Sequence, residues 1–148
     1  MKHDVLAEVM NDYNQLWKTD LSGVSRLESV IHPSFERHGT SGSLRGIPAF
    51  RRYLLHFLKA FPDLRFQIHD FISHEDKVIL RYRFTGTHRD DFMGVPPTGN
   101  AIDVAALTIY RIQDRRLREL WDYTDMLSLA EQLDVLAVSM SLQRDECG

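Results

Sequence analysis

Cysteine is nearly absent: the single one, Cys147, stands next to the last residue. That excludes an internal disulfide framework and a cysteine-rich zinc site, and it fits a reducing compartment. An excess of one charge is also lacking. Lys and Arg total 18 against 21 Asp and Glu, a formal charge of -3, which gives no general attraction to nucleic acid or acidic membrane, so neither is expected as a partner. No apolar run approaches the roughly 20 residues of a membrane-spanning helix. The first ten residues break their apolar positions with charges, unlike a signal peptide. A cytoplasmic protein is expected. The dinucleotide glycine fingerprint and the phosphate loop are both missing. The seven histidines are scattered, with no helical pair at ligand spacing. Neither a metal nor a cofactor is therefore expected, and the placing of His32 and His38 on either side of a turn is read as coincidence.

What is present is enough apolar material for one core. At 148 residues and 43% hydrophobic composition, the chain has the size of one domain. One domain over residues 1–138 and a polar, frayed tail over 139–148 are expected.

Val5, Val9, Tyr13, Leu16 and Trp17 recur at helical spacing and predict an amphipathic helix from Asp4 to about Thr19. A shorter helix carries Leu27, Val30 and Ile31 before His32-Pro33 stops it. After a short strand at residues 34–38 and a turn-rich segment, Pro48 opens a third helix. Its face of Phe50, Tyr53, Leu54, Phe57, Leu58 and Phe61 is the most aromatic in the chain. In a fold built around a cavity, such a face becomes its floor or lid.

The period then changes to two. Leu64, Phe66 and Ile68 alternate with polar residues, as do Val78, Leu80, Tyr82 and Phe84, across a turn at His74 to Lys77. A second hairpin joins strands at about Ile102 to Ile112 and Arg116 to Thr124. Helices first and antiparallel strands afterwards is an α+β order, with helices covering one face of a curved sheet. Between the hairpins lies a long segment, Gly86 to Gly99, read as an ordered loop anchored by Phe92, Met93 and Val95. A final helical segment runs from Met126 toward Leu136.

Chemistry concentrates in the stretch from Glu119 to Asp125. On a strand, Glu119, Trp121, Tyr123 and Asp125 share one face, while Leu120, Asp122 and Thr124 take the other. Two carboxylates beside two large aromatics suit a small-molecule pocket, where apolar surroundings tune an acid for proton transfer. The competing reading is a half-buried strand with solvent-facing acids. His38, where a strand gives way to a loop, could project an imidazole into such a pocket.

Several segments together resemble the SnoaL-like polyketide cyclase family, the SnoaL-like ester cyclases of the ketosteroid isomerase and nuclear transport factor 2-like superfamily. They are Ala60 to Leu64, the Gly86-Thr87-His88 turn with Phe92, Gly94 and Pro96 to Gly99, Ile109 to Ile112, and Glu119, Trp121, Asp125 and Gln132-Leu133. The resemblance implies a cone-shaped α+β barrel whose bent antiparallel sheet wraps the helices around an apolar cavity. It also implies a homodimer or higher homo-oligomer. The implied reaction is a cofactor-free cyclisation or isomerisation of a hydrophobic, polyketide ester-like carbonyl compound. Asp125 takes the general acid/base role, with His38 and His88 as further catalytic candidates. Trp121, Glu119, Tyr123, Phe57, Phe61, Tyr82 and Phe92 are the expected substrate-binding residues. Family members pair their aspartate with a histidine on the preceding strand, and Ile102 to Ile112 contains none, so either His38, His56 or His88 supplies the imidazole from elsewhere or the acid works without it.

Two alternatives stay open. One is a superfamily hydrolase, such as an epoxide hydrolase, with an Asp-Arg-Asp arrangement drawn from Arg81, Arg83 or Arg111 and Asp103, Asp122 or Asp125. The other is a non-catalytic binder of apolar small molecules.

Overall fold

The computed structural model describes residues 3–40 and 42–135. The elements are α1 (His3–Gln15), a 3-10 turn (Val24–Arg26), α2 (Leu27–Val30), β1 (Ile31–Gly39), β2 (Gly42–Arg45) and α3 (Ile47–Ala60). They continue with β3 (Arg65–His74), β4 (Lys77–Thr87), β5 (Ala101–Gln113), β6 (Arg116–Thr124) and α4 (Met126–Gln132). This is the α+β architecture that the order of periodicities predicts. The proposed tail, residues 139–148, lies outside the described residues.

The six strands form one sheet in the order β2-β1-β6-β5-β4-β3. It is open, with β2 and β3 at its edges, and it is mixed: β1 runs parallel to β6, while every other neighbouring pair is antiparallel. Helices cover one face. Leu6, Val9, Met10 and Tyr13 of α1 and Phe50, Leu54 and Leu58 of α3 are buried there. Facing them, β5 alternates without a break, burying Ile102, Val104, Ala106, Thr108, Tyr110 and Ile112. A period of two against one covered face requires that pattern.

Helix α1 is shorter than its apolar spacing predicts. Leu16 and Trp17 donate backbone N-H groups three residues back, to Tyr13 and Asn14, so the helix tightens and ends while Trp17 still packs on Phe50, Tyr53 and Phe57. The returning chain touches this corner at Gly23, where an added Cβ would lie 2.3 Å from the Gln15 carbonyl oxygen. Only glycine fits so close an approach. β1 begins earlier than expected because His32 precedes a proline and takes an extended conformation.

The long loop after β4 is a built structure. His88 is completely buried; its Nδ1 accepts the Thr98 backbone N-H at 3.1 Å and lies 3.0 Å from the Thr98 hydroxyl. Its backbone exchanges hydrogen bonds with Asn100 and Gly99, closing the loop's two ends. Phe92 and Val95 bridge each other across a two-residue turn. Phe92 is buried and Val95 half-buried, whereas Met93, expected beneath the loop, is 55% exposed at its tip.

The hairpin from β5 to β6 turns at Asp114 and Arg115, both non-glycine residues at positive φ (54° and 56°). An L residue there is strained by about 1–2 kcal/mol. Arg115→Gly should therefore raise stability by about 0.5–1 kcal/mol, after allowing for glycine's greater freedom in the unfolded chain. The exposed Arg115–Glu8 ion pair that it removes is worth little. Urea unfolding would measure the gain, and an unchanged or lower midpoint would refute it.

Candidate functional site

Between the sheet and α1 and α3 lies a cavity of about 260 Å³. Its walls are mostly apolar and aromatic: Trp17, Phe57, Phe84, Phe92, Leu80 and Leu129 all line it. Phe66, Ile68 and Met93 line it too and are each more than 40% exposed, so they form its mouth. Polar groups are concentrated on the sheet side, where Arg37, Tyr82, Thr108, Tyr110, Asp122 and Thr124 reach it, and on the helices at Tyr13, Tyr53 and His56.

Among the described residues, the only charged pair in this lining is Arg37 with Asp122, at 2.8 Å from Nη2 to Oδ2. Both are buried, with side chains 6% and 10% exposed. The other carboxylate oxygen, Oδ1, accepts the Thr124 hydroxyl at 2.6 Å. The Arg37 guanidinium sits 4.5 Å above the Tyr53 ring, an attractive placement for a desolvated cation. Burial opposes its charge, but Tyr53 and Asp122 more than offset that, and its pKa lies above the usual arginine value. Its Nε is buried with no hydrogen-bond partner among the described residues.

Backbone register brings the pair together. Arg37 stands beside Leu120 on the parallel β1–β6 ladder, and Asp122 stands beside Gly39. The guanidinium reaches along β1 across Gly39, where an added Cβ would lie 2.5 Å from three guanidinium atoms. Gly39 thus leaves the space through which Arg37 meets Asp122.

Tyr13, Tyr53, Tyr82 and Tyr110 carry raised phenol pKa values, chiefly because burial disfavours the phenolate. Their hydroxyls keep their protons and remain available as donors. The Tyr82 and Thr108 hydroxyls are 2.9 Å apart. His56 is the one histidine among the described residues in the cavity lining; it stacks on Phe92, and its Nε2 accepts the Met93 N-H at 3.2 Å.

The structure divides the residues that the sequence singles out. Phe57, Tyr82 and Phe92 line the cavity. Phe61 is fully buried just behind it, against Phe57 and Phe92. His88 is the loop anchor and does not reach the cavity. Asp125 is exposed and caps α4, its Oδ1 accepting the Ser128 N-H at 3.1 Å. Glu119, Trp121 and Tyr123 do share a face, as alternation requires, but it is the sheet's outer face. There His38 stacks on Trp121 and meets Glu119 at 2.6 Å, while Tyr123 is 57% exposed. The arginines considered for an Asp-Arg-Asp centre are also elsewhere: Arg81 pairs with Asp70, Arg83 with Asp103 and Arg111 with Glu119.

A one-residue bulge causes this inversion. From the turn, Ile112 pairs with Leu117, but Arg111 pairs with Glu119, so Arg118 is the extra residue. Leu117 faces inward, and uninterrupted alternation would then send Glu119, Trp121 and Tyr123 inward too. The bulge shifts the phase, and Leu120, Asp122 and Thr124 face the cavity instead. Sequence reasoning did not find Arg37 as part of the site. A signal existed in Phe35-x-Arg37-x-Gly39, an inward arginine two residues from a strand glycine.

The sequence profile of SnoaL-like polyketide cyclases matches residues 7–133. No curated protein matches the chain. Among solved structures, TsrD from Streptomyces laurentii superposes with a TM-score of 0.80 at 23% identity, over 92% of this chain and 99% of its own. AclR from Streptomyces galilaeus, to which a hydroxylase activity is ascribed, gives 0.74 at 28% identity, over 88% and 96%. IdmH from Streptomyces antibioticus, ascribed as a polyketide cyclase, gives 0.72 at 25% identity, over 87% and 98%. With the profile spanning residues 7–133, the chain belongs to the SnoaL-like polyketide cyclase family.

Proposed function

We propose that this protein catalyses a cofactor-free ring closure or isomerisation of a hydrophobic, enolisable carbonyl compound, in the manner of a polyketide ester cyclase. Asp122 is the general acid/base. The observation that carries this reading is the desolvated Arg37–Asp122 pair in an aromatic cavity, with Arg37 Nε unpartnered. In the first step a substrate carbon-hydrogen bond breaks, the proton goes to an Asp122 oxygen, and the electron pair forms the enolate. Negative charge grows on the substrate oxygen, where Arg37 and a protonated tyrosine hydroxyl stabilise it. Attack of the enolate carbon on a second carbonyl closes the ring, and the resulting alkoxide takes the proton back from Asp122, which returns to its carboxylate form. Aromatic walls exclude water and keep these interactions strong.

An epoxide hydrolase of the Asp-Arg-Asp kind needs two acids at one arginine. The described cavity lining offers one carboxylate, Asp122, which favours the cyclase reading.

The test is hydrogen exchange. Aromatic β-keto esters incubated with the protein in deuterium oxide should gain deuterium at the activated carbon faster than in buffer, followed by NMR. If such esters bind saturably and none exchanges, the protein is a carrier and the catalytic reading falls.

A further inference from the structure

Glu36 and His38 lie two apart on β1, so both project from the outer face of the sheet, opposite Arg37 between them. On β6, Glu119 stands directly beside Glu36 in the parallel ladder. The result is a Glu-His-Glu triplet held by two paired strands, with one ligating atom from each residue lying within 4.8 Å of the others. His38 Nε2 is 2.6 Å from Glu119 Oε2 and 3.7 Å from Glu36 Oε2. Zinc bonds of about 2.0–2.2 Å in a tetrahedral shell place neighbouring ligand atoms about 3.4 Å apart, and the two observed distances bracket that value.

We propose that Glu36, His38 and Glu119 bind a divalent cation of the zinc class, which clamps β1 to β6 from the outer face. Two carboxylate oxygens and one imidazole nitrogen are a suitable borderline donor set. The cation replaces the proton shared between His38 and Glu119, and water completes its shell on the solvent side, where the His38 side chain is 39% exposed. Neighbours already fix the ligands. Arg111 Nε and Nη2 hold Glu119 Oε1 at 3.1 and 2.9 Å, leaving Oε2 turned toward His38. Trp121 stacks on the His38 ring, with centroids 5.6 Å apart and planes 25° apart, and sets its orientation. Such supporting contacts are what metal-binding side chains require. One carboxylate charge is offset by Arg111, so the site carries about one net negative charge, adequate for a cation without demanding a closed cage.

The clamp joins the same two strands whose inner faces carry Arg37 and Asp122, so cation binding outside tightens the wall of the cavity inside. It uses neither of those residues, and it stands or falls separately from the catalytic proposal.

The experiment titrates the full-length protein with cobalt(II) and with zinc. One cobalt per chain should bind with the visible absorption of a low-coordinate site and quench fluorescence from Trp121. Zinc should displace it and raise the thermal midpoint. His38→Gln and Glu36→Gln, each confirmed as folded by circular dichroism, should weaken binding by more than about tenfold and abolish the zinc-dependent rise in midpoint. Equal binding by His38→Gln would place the cation on other histidines and overturn the proposal, as would an absence of binding by the unaltered chain.

Discussion

Replacing Asp122 with asparagine should slow carbon-proton exchange by about 10² to 10⁴-fold, the usual contribution of a positioned general base. The amide keeps the shape of the side chain and its contact with Thr124, but it leaves the buried Arg37 without its anionic partner, so the exchange rate is read on the fraction shown to be folded by circular dichroism. Asp125→Ala is the matched control. Asp125 lies outside the cavity and accepts the Ser128 N-H as the cap of α4, so its loss should cost about 1 kcal/mol of stability and leave the exchange rate within about twofold. The two acids are three residues apart and have opposite expected phenotypes. If Asp125→Ala abolished exchange while Asp122→Asn retained it, the site would have been assigned to the wrong acid.

The largest expected effect on stability is at Arg37. Arg37→Met leaves the Asp122 carboxylate buried with only the Thr124 hydroxyl, and breaking a buried pair in this way costs about 3–5 kcal/mol. That is a large part of the 5–15 kcal/mol typical of a domain, so the single variant could fail to fold. The double variant Arg37→Met/Asp122→Leu keeps the test sharp, because an apolar pair of similar volume should recover most of the loss. Urea unfolding of the three chains measures it. A single variant within 1 kcal/mol of the unaltered chain would show that the pair is not desolvated. Gly39→Ala separates position from charge. Its methyl group would lie 2.5 Å from the buried guanidinium and force it off Asp122, so both stability and exchange should fall even though the two charges are retained.

Most of the framework was legible from periodicity alone. The unbroken alternation from Ile102 to Ile112 and the aromatic spacing of Phe50 to Phe61 identify the two surfaces that enclose the cavity. They are readable because each is regular over its whole length. Failure came where regularity is interrupted. Alternation correctly groups Glu119 with Trp121 and Asp122 with Thr124, but which group faces inward depends on the extra residue at Arg118, and no local propensity announces a bulge there. The turn at Asp114-Arg115 was located correctly, although it forms without the glycine that usually marks such a geometry. Arg37 escaped for a different reason. An arginine on a short strand reads as a surface residue until its partner, 85 positions later, is known to share its ladder. His38 was singled out for its place at the end of a strand and His88 through the family resemblance; the structure sets the first beside Trp121 and Glu119 on the outer face and buries the second in its loop, both away from the cavity.

The parallel pairing of β1 with β6 also bears on how the protein is made. Translation delivers β1 early and β6 late, so on the ribosome Arg37 exists for 85 residues of synthesis without Asp122. Until β6 arrives, only β2 can pair with β1, and the rest of the sheet has a free edge at β5. Docking β6 fills both gaps at once and creates the charge pair in the same event. A nascent chain therefore acquires the buried Arg37–Asp122 pair in one late step, when β6 closes the gap between β1 and β5.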